Sequence, residues 1–372
     1  MADEHKATGR GFKDAYDSET PRHHHRQKKS RGRRVKHSPE RSLSTPRWLI
    51  VCCFVVMVIL GAMLFLVRVN MSSRAANQIT AQNQYNVGIG YRKISYKGKE
   101  YLYNTRITSV LLLGVDSEGT MEENADFMLA PNADMVSLIV MDGYHKKMSI
   151  IALNRNTMCT IHRYSKHGYD LGEFKDQLCL AYAYGENGKV SSSNIMNAVS
   201  QILYGVPVND YVVFNRSTLP KLMDVIGDVT VTVPNNDLKS AGYKKGDQMV
   251  INAENIETFV RSRNMQKAAS NVGRMERQKV FINATIGRLM DLIKKDPKKF
   301  WNEVEKAEKC MRTDITRNRY LDHANLLSSI SYVQADYYTP EGKVYLENRW
   351  DEFYPDEEKL LEKVVEIFYI PA

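Results

Sequence analysis

Cysteine is scarce in this sequence, with five residues among 372. Cys52 and Cys53 lie in a long apolar run, and the other three, Cys159, Cys179 and Cys310, lack the spacing typical of zinc ligands. This scarcity excludes a small disulfide-rich scaffold and an array of zinc sites. A Cys159–Cys179 disulfide stays open at this point, and buried free thiols are the expectation.

Most of the chain lacks a large net charge of either sign. The formal net charge is +9, yet residues 1–47 hold 13 Lys/Arg and 6 Asp/Glu, whereas the other residues hold 39 and 37. The basic tail has almost no apolar periodicity, so we expect it to be disordered. It lacks a helix-turn-helix pattern and interleaved aromatic residues. This excludes a specific nucleic-acid interface and predicts contacts with anionic lipid head groups.

Long hydrophobic runs are also rare, and one stands out. Residues 48–67 contain no charged side chain, and 20 apolar residues in a helix cross about 30 Å of hydrocarbon. Arg68 follows the run directly, without the small-residue cleavage site of a signal peptide. Because positive charge concentrates on the N-terminal side, we expect a single-pass cell-membrane protein with a cytoplasmic N-terminus and an extracytoplasmic C-terminal part.

The chain after the apolar run is predicted to form a polar spacer, residues 68–100, and one domain, residues 101–372. The domain would have a core of about 105–295 and a helical extension to 372. Its apolar runs and periodicities predict strands and interleaved helices. The fold class is therefore α/β: an α-β-α sandwich with a mixed central sheet and helices on both faces. The sheet is expected mostly from Val110 to Val115, Met135 to Leu153 and Val229 to Val233, with helices from Ser193 to Leu203 and from Leu219 to Ile226.

Polar side chains flank three predicted strands. Asp116 comes after the first run, Asp134 precedes the second, and Arg155 follows the third. Each residue taken singly is typical of an ordinary turn cap. Together they predict two carboxylates and a guanidinium at neighbouring strand ends.

A second polar cluster precedes a long amphipathic helix. Stepping back along the apolar stripe of that helix places Gln278 within the stripe and Arg274 at its edge. Polar groups aimed at a core need a partner, and guanidinium groups near a helix N-terminus suit phosphate. A solvated basic face or structural ion pairs would be the plainer interpretation. The complete cluster is Arg261, Arg263, Arg274, Arg277 and Gln278.

Taken in order, these segments resemble the LytR-CpsA-Psr family of Gram-positive cell-envelope proteins. The motifs that carry the resemblance are LLLGVDS, ADM, LNRNT, VIGDVTVTVP, RSR and GRMERQ. The resemblance implies a phosphotransferase that moves a glycopolymer, of teichoic acid or capsular polysaccharide type, from a polyprenyl pyrophosphate carrier to peptidoglycan. It also implies a single-pass protein with its domain outside the membrane.

The resemblance assigns roles residue by residue. Asp116 and Asp134 match the acidic pair associated with Mg²⁺ or another divalent cation. The implied pyrophosphate ligands are Arg155, Arg261, Arg263, Arg274, Arg277 and Gln278. The implied catalytic residues are Asp134, Arg155, Arg263 and Arg274, with Asp134 either as general base or only orienting the nucleophile. Arginines and a hard cation supply the positive charge that phosphoryl transfer needs.

Two departures from the family pattern affect the predicted activity. Asn156 and Asn271 stand where the family usually has aspartate, and an amide cannot accept a proton or balance a metal's charge. A segment from Glu118 to Pro131 separates the two predicted metal ligands, and its Glu122, Glu123 and Asp126 are candidates for compensation. A non-catalytic polyprenyl-phosphate-binding or regulatory protein therefore stays open as the alternative. In either case an apolar pocket is expected, with wall candidates Val212, Val213, Phe214, Leu222 and Val225.

Overall fold

The computed structural model describes residues 92–121, 131–165, 169–185, 188–263, 269–330, 336–347 and 350–372. The predicted tail, the predicted anchor, most of the spacer and the three acidic candidates Glu122, Glu123 and Asp126 lie outside these residues. None of the helices in the described ranges has the length and apolar character of a membrane span.

Seven strands precede the first helix of the described residues, and strands and helices are interspersed after it. The strands are β1 (Lys93–Tyr96), β2 (Lys99–Tyr103), β3 (Ile107–Val115), β4 (Ala133–Asp142), β5 (Lys147–Leu153), β6 (Met158–Tyr164), β7 (Asp170–Gln177), β8 (Asp210–Phe214), β9 (Val229–Thr232), β10 (Gln248–Ile251), β11 (Met311–Thr313), β12 (Asp336–Tyr338), β13 (Gly342–Glu347), β14 (Trp350–Pro355) and β15 (Tyr369–Pro371). The helices are α1 (Leu178–Ala183), α2 (Gly188–Ile202), α3 (Thr218–Ile226), α4 (Ile256–Arg261), α5 (Ser270–Lys295), α6 (Pro297–Lys306), α7 (Arg317–Ser328) and α8 (Glu357–Phe368).

Local sequence explains where several helices begin. Asp296 caps α6 by accepting a hydrogen bond from the Lys299 amide at 2.9 Å, and Pro297 occupies the first helical position, where no amide hydrogen is needed. Asp356 caps α8 through the Lys359 amide in the same way. Such caps satisfy backbone donors that the helix itself leaves unpaired.

The central sheet has six strands in the order β11-β8-β3-β4-β5-β12. The pairs β8–β3 and β5–β12 are parallel, and the other three pairs are antiparallel. β3 and β4 are central and mostly buried on both faces, which explains their long apolar runs. The prediction of a mixed central sheet in an α/β fold is confirmed.

Successive residues of a central strand pack against helices on opposite faces of the sheet. Leu111 and Leu113 of β3 lie in a core that includes residues of α1, α2 and α8, whereas Val110 packs with Ile286 and Met290 of α5. Because side chains alternate along a strand, one apolar run serves both layers. Helices therefore cover both faces of the sheet.

Three predicted features of the fold need correction. β9 does not join the central sheet but pairs with β10 in a separate two-stranded sheet. The folded domain begins before residue 101, because β1 pairs with β2 and β2 pairs with β15. The last third of the chain is not simply a helical extension, since β11 and β12 form both edges of the central sheet.

Candidate functional site

A β-bulge points Asp134 toward the site. Gly114 of β3 pairs with Met135, but Val115 pairs with Ala133, so Asp134 is an extra residue in β4. As a result Asp134 and Met135 both line a cavity on one face of the sheet, while Ala133 packs in the core of the other face. Strict alternation would have placed Asp134 and Met135 on opposite faces.

Asp134 binds two arginines that come from distant parts of the chain. Arg155, two residues after β5, donates from Nη1 to Oδ1, and Arg274, in the second turn of α5, donates from Nη1 to Oδ2 at 2.9 Å. The side chains are 16% (Asp134), 11% (Arg155) and 2% (Arg274) exposed. These three residues are called the arginine–aspartate centre below. One carboxylate is shared by two guanidinium groups, so the centre retains positive charge.

Asn271 holds the guanidinium of Arg274 in place. Its Oδ1 accepts from Nη2 at 2.7 Å and from Nε at 3.1 Å, and its Nδ2 donates to Oδ1 of Asn154 at 2.8 Å. Burial lowers the pKa of Arg274 to about 10; Asp134 opposes this shift, and the positive charges of Arg155 and Arg263 reinforce it. Arg274 is still protonated at neutral pH.

Asp116 and Arg261 form a second, more exposed network. Arg261 donates from Nη2 to Asp116 at 2.5 Å and from Nη1 to Glu257 at 2.5 Å. Glu257 also accepts from Arg216 at 2.7 Å. Arg261 lines the same cavity as Arg274, so the two networks adjoin at one end of that cavity.

Arg277 is placed differently from its predicted role as a pyrophosphate ligand. It is fully buried, and it donates to the carbonyls of Phe259 and Ser262 and to Asn235 and Asp237. With Nε, Nη1 and Nη2 all bound inside the protein, Arg277 fastens the backbone around Arg261 and Arg263. Burial lowers its pKa, and Asp237 opposes that shift.

Gly273, which has no side chain, allows Asp237 to come close enough to helix α5 to bind Arg277. A Cβ at that position would collide with Oδ2 of Asp237, the partner of Arg277. Asn235 also donates to the Gly273 carbonyl at 2.8 Å. Sequence reasoning missed Asn154, Asn235 and Asp237, because each lies in an ordinary polar stretch and meets its partner on helix α5 only in the folded chain.

An apolar cavity of about 400 Å³ lies between the sheet and helices α3, α5 and α6. Four of the five predicted wall residues line it: Val212, Phe214, Leu222 and Val225. Val213 does not, because strand alternation turns it into the core on the other face. The polar end of the cavity contains Asp134, Arg261, Arg274 and Gln278. Gln278 donates to the carbonyl of Val260 at 3.2 Å, so this predicted ligand also holds the backbone next to Arg261.

The three cysteines outside the apolar run are buried free thiols, as expected. Cys179 lies beside the arginine–aspartate centre, where its Sγ accepts from Nη2 of Arg155 at 3.0 Å. Burial raises the pKa of Cys159 to about 12, so this thiol is protonated at neutral pH.

Comparison with known proteins identifies the family. Residues 64–364 match the LytR_cpsA_psr family. The chain belongs to this family. Biofilm regulatory protein A of Streptococcus mutans is 23% identical over 294 residues, which cover 73% of this chain and 68% of that protein.

Solved structures show the same fold in other proteins. B. subtilis TagV is 23% identical, with a TM-score of 0.52 over 70% of this chain and 96% of TagV. TagT bound to LI-WTA is 19% identical, with a TM-score of 0.52 over 75% of this chain and 95% of TagT. At these identities the likeness is one of fold.

The two departures from the LytR-CpsA-Psr pattern have different surroundings. Asn271 keeps the acceptor oxygen that Arg274 needs, so the change from carboxylate to amide preserves that geometry. Asn156 binds strand β14 through its backbone instead, since its carbonyl accepts from the Phe353 amide at 2.9 Å. Neither asparagine can take a proton.

Two carboxylates, Asp116 and Asp134, are the predicted ligands of a divalent cation. In the described ranges, no group of three or more His, Cys, Asp or Glu side chains is placed to hold a metal. Mg²⁺ commonly takes one or two carboxylates and completes its shell with water and phosphate oxygens. Asp116, 48% exposed, is more accessible than Asp134.

Proposed function

We propose that this protein is a phosphotransferase that attaches a polyprenyl-pyrophosphate-linked glycopolymer, of teichoic acid or capsular polysaccharide type, to peptidoglycan. The observation that carries this proposal is the position of Asp134 and Arg274 at the polar end of an apolar cavity, with Arg155 joined to them through Asp134. Family membership supports it, as does the shared fold with TagT, whose solved structure is bound to LI-WTA.

The two halves of the site match the two halves of such a donor. The apolar cavity offers Leu222, Val225 and Phe281 to a polyprenyl chain, and burying apolar surface favours that contact by about 25 cal/mol per Å². At its polar end, guanidinium groups in forked geometry suit the oxygens of a pyrophosphate. The buried position of the arginines strengthens this attraction, because screening by water is weak there.

In the proposed reaction, a sugar hydroxyl oxygen of peptidoglycan attacks the phosphorus that carries the glycopolymer. A new P–O bond forms, the bond from that phosphorus to the bridging oxygen breaks, and polyprenyl phosphate leaves. The hydroxyl proton passes to solvent, or to Asp134 if a guanidinium releases one of its oxygens. Arg155, Arg263 and Arg274 stabilise the negative charge on the phosphoryl oxygens.

Asp134 serves chiefly to orient the arginines in this proposal. Both of its carboxylate oxygens accept from guanidinium groups, so neither is ready to accept a proton. Asp116 would hold a Mg²⁺ ion, joined by Asp134 once a guanidinium releases one of its oxygens, and the ion would neutralise pyrophosphate charge when bound. In the proposed cellular arrangement, residues 48–67 anchor the chain in the membrane, the domain lies outside, and the basic tail meets anionic head groups.

A transfer assay tests the proposal. Full-length protein in detergent receives a polyprenyl-pyrophosphate-linked saccharide and a peptidoglycan oligomer, with and without Mg²⁺. Wild type should form product that Arg155→Ala loses by a factor on the order of 10² to 10³. Arg106→Ala, an exposed arginine before β3, is the matched control and should retain full activity.

A non-catalytic lipid-binding or regulatory protein is the second candidate. The observation that favours it is the doubly occupied carboxylate of Asp134 together with Asn156 and Asn271 at positions where the family has acids. Tight donor binding by wild type with no transferred product under any metal condition would decide for this candidate.

A further inference from the structure

A second cleft lies outside the apolar cavity, on another face of helix α5. It has a volume of about 850 Å³ and lies between α5 and the hairpin formed by β13 and β14. We call it the hairpin cleft. Its lining includes Asn154, the buried partner of Asn271. Through these two asparagines the floor of the cleft connects to Arg274.

Helix α5 has two faces that serve two different spaces. Asn271, Arg274 and Gln278 are buried toward the centre and the apolar cavity. Val272, Met275, Glu276 and Lys279, at helical spacing one residue further on, line the hairpin cleft. The cleft is therefore separate from the proposed donor site yet shares a wall with it.

The hairpin is fastened to both arginine-bearing segments. The Phe353 amide donates to the Asn156 carbonyl at 2.9 Å, next to Arg155. Asp351 accepts from the Ala269 amide at 2.9 Å, directly before α5, and its carbonyl accepts from Gln177 at 2.8 Å. These bonds hold the cleft at a constant place relative to the centre.

The lining of the cleft does not suit an anion or a lipid. Three acidic residues, Glu276, Glu341 and Asp356, face two lysines, Lys279 and Lys343, so there is no positive excess. Aromatic rings add flat apolar surface: Tyr345, 49% exposed, meets Tyr354 edge to face at 5.7 Å. Aromatic faces combined with both signs of charge suit a polar ligand with apolar ring faces and mixed charge.

We propose that the hairpin cleft binds the acceptor, an amino-sugar glycan strand with zwitterionic peptide stems. This rests on the proposed transfer function, because it supplies the hydroxyl for that reaction. A glycan bound along the cleft would lie over Asn154, the residue before Arg155, while the donor occupies the apolar cavity. Tyr345 would then be a specificity residue for the acceptor.

Direct binding tests the cleft independently of transfer. The probe is a soluble peptidoglycan tetrasaccharide with its peptide stems, titrated against full-length protein in detergent by calorimetry. Tyr345→Ala should weaken binding about tenfold, and Tyr345→Phe should keep it, because the ring supplies the contact. Lys279→Ala, on the opposite wall in a helix that alanine favours, should also weaken binding.

The matched control is Tyr144→Ala. Tyr144 is 53% exposed, similar to Tyr345, but lies at the other end of the sheet beyond β4. This variant should bind the tetrasaccharide as wild type does, and all variants should bind the polyprenyl-pyrophosphate saccharide equally, which verifies folding. If neither cleft substitution weakened glycan binding, or if wild type bound no glycan, the assignment of the acceptor site to the hairpin cleft would be wrong. Glycan binding through the cleft without transfer would instead overturn the transferase function.

Discussion

Asn271 accepts two hydrogen bonds from the guanidinium of Arg274, at 2.7 and 3.1 Å. A carboxylate could accept the same two bonds, so the amide keeps the direction of Arg274 while removing one negative charge. The site therefore retains more positive charge than the family pattern would produce.

Replacing Asn271 should separate geometry from charge. Asn271→Ala removes the acceptor and should lower transfer about ten- to hundredfold, the loss expected for hydrogen bonds to a charged group. Asn271→Asp keeps the acceptor for Arg274 but loses the Nδ2 donor to Asn154, so it should lower transfer less than Asn271→Ala, by no more than about tenfold. Initial rates at saturating acceptor measure both. Equal losses in the two variants would contradict a positioning role for Asn271.

Arg274→Ala should affect both activity and stability. Transfer should fall on the order of 10² to 10³, and loss of a buried ion-pair partner should cost about 3–5 kcal/mol of unfolding free energy. Urea unfolding measures the second effect. An Arg274→Ala protein as stable and as active as wild type would refute the assignment of this residue to the centre.

Arg277→Ala should act on stability first. Removing this fully buried side chain leaves the half-buried Asp237 and three further acceptors without their donor, so we expect a loss of about 3–5 kcal/mol. Arg288→Ala is the comparison, because Arg288 also donates to two carbonyls, of Ile226 and Asp228, but lies on a partly exposed face. It should cost no more than about 1–2 kcal/mol. A larger loss in Arg288→Ala than in Arg277→Ala would contradict the fastening role.

Filling the apolar cavity should discriminate donors by chain length. Leu222→Trp adds bulk inside the cavity, so binding of a long polyprenyl pyrophosphate should weaken while a short-chain analogue binds nearly as before. Leu222→Met conserves volume and is the control. Fluorescence competition with the two donors measures the difference; an equal effect on both chain lengths would argue against a lipid site.

The buried thiol Cys159 should make the fold sensitive to alkaline pH. Its pKa is raised from about 9 to about 12 in the folded protein, so the unfolded chain loses this proton first. The stabilising contribution is complete below about pH 9 and declines as the pH rises toward 12. Cys159→Ala should show a shallower decline of unfolding free energy over this window. An identical dependence of unfolding free energy on pH in wild type and Cys159→Ala would contradict this role of Cys159.

Local patterns of the sequence determined much of this protein. Apolar runs placed β3, β4 and β5, helical periodicity placed α2, α3 and α5, and the order of short motifs indicated the family. These features depend on neighbouring residues and on backbone periodicity, so they can be recognised before any long-range contact is known. The strand ends likewise indicated Asp116, Asp134 and Arg155 as candidates.

Only the tertiary structure decided what those candidates contact. The bulge in β4 turned Asp134 toward the cavity, and packing against Asp237 took Arg277 into a structural role. Pairing of β9 with β10, and closure of the hairpin cleft by residues far along the chain, depended on long-range register. The physical reason is that a register or a buried partner is chosen by the free energy of the whole fold, and no local pattern records that choice.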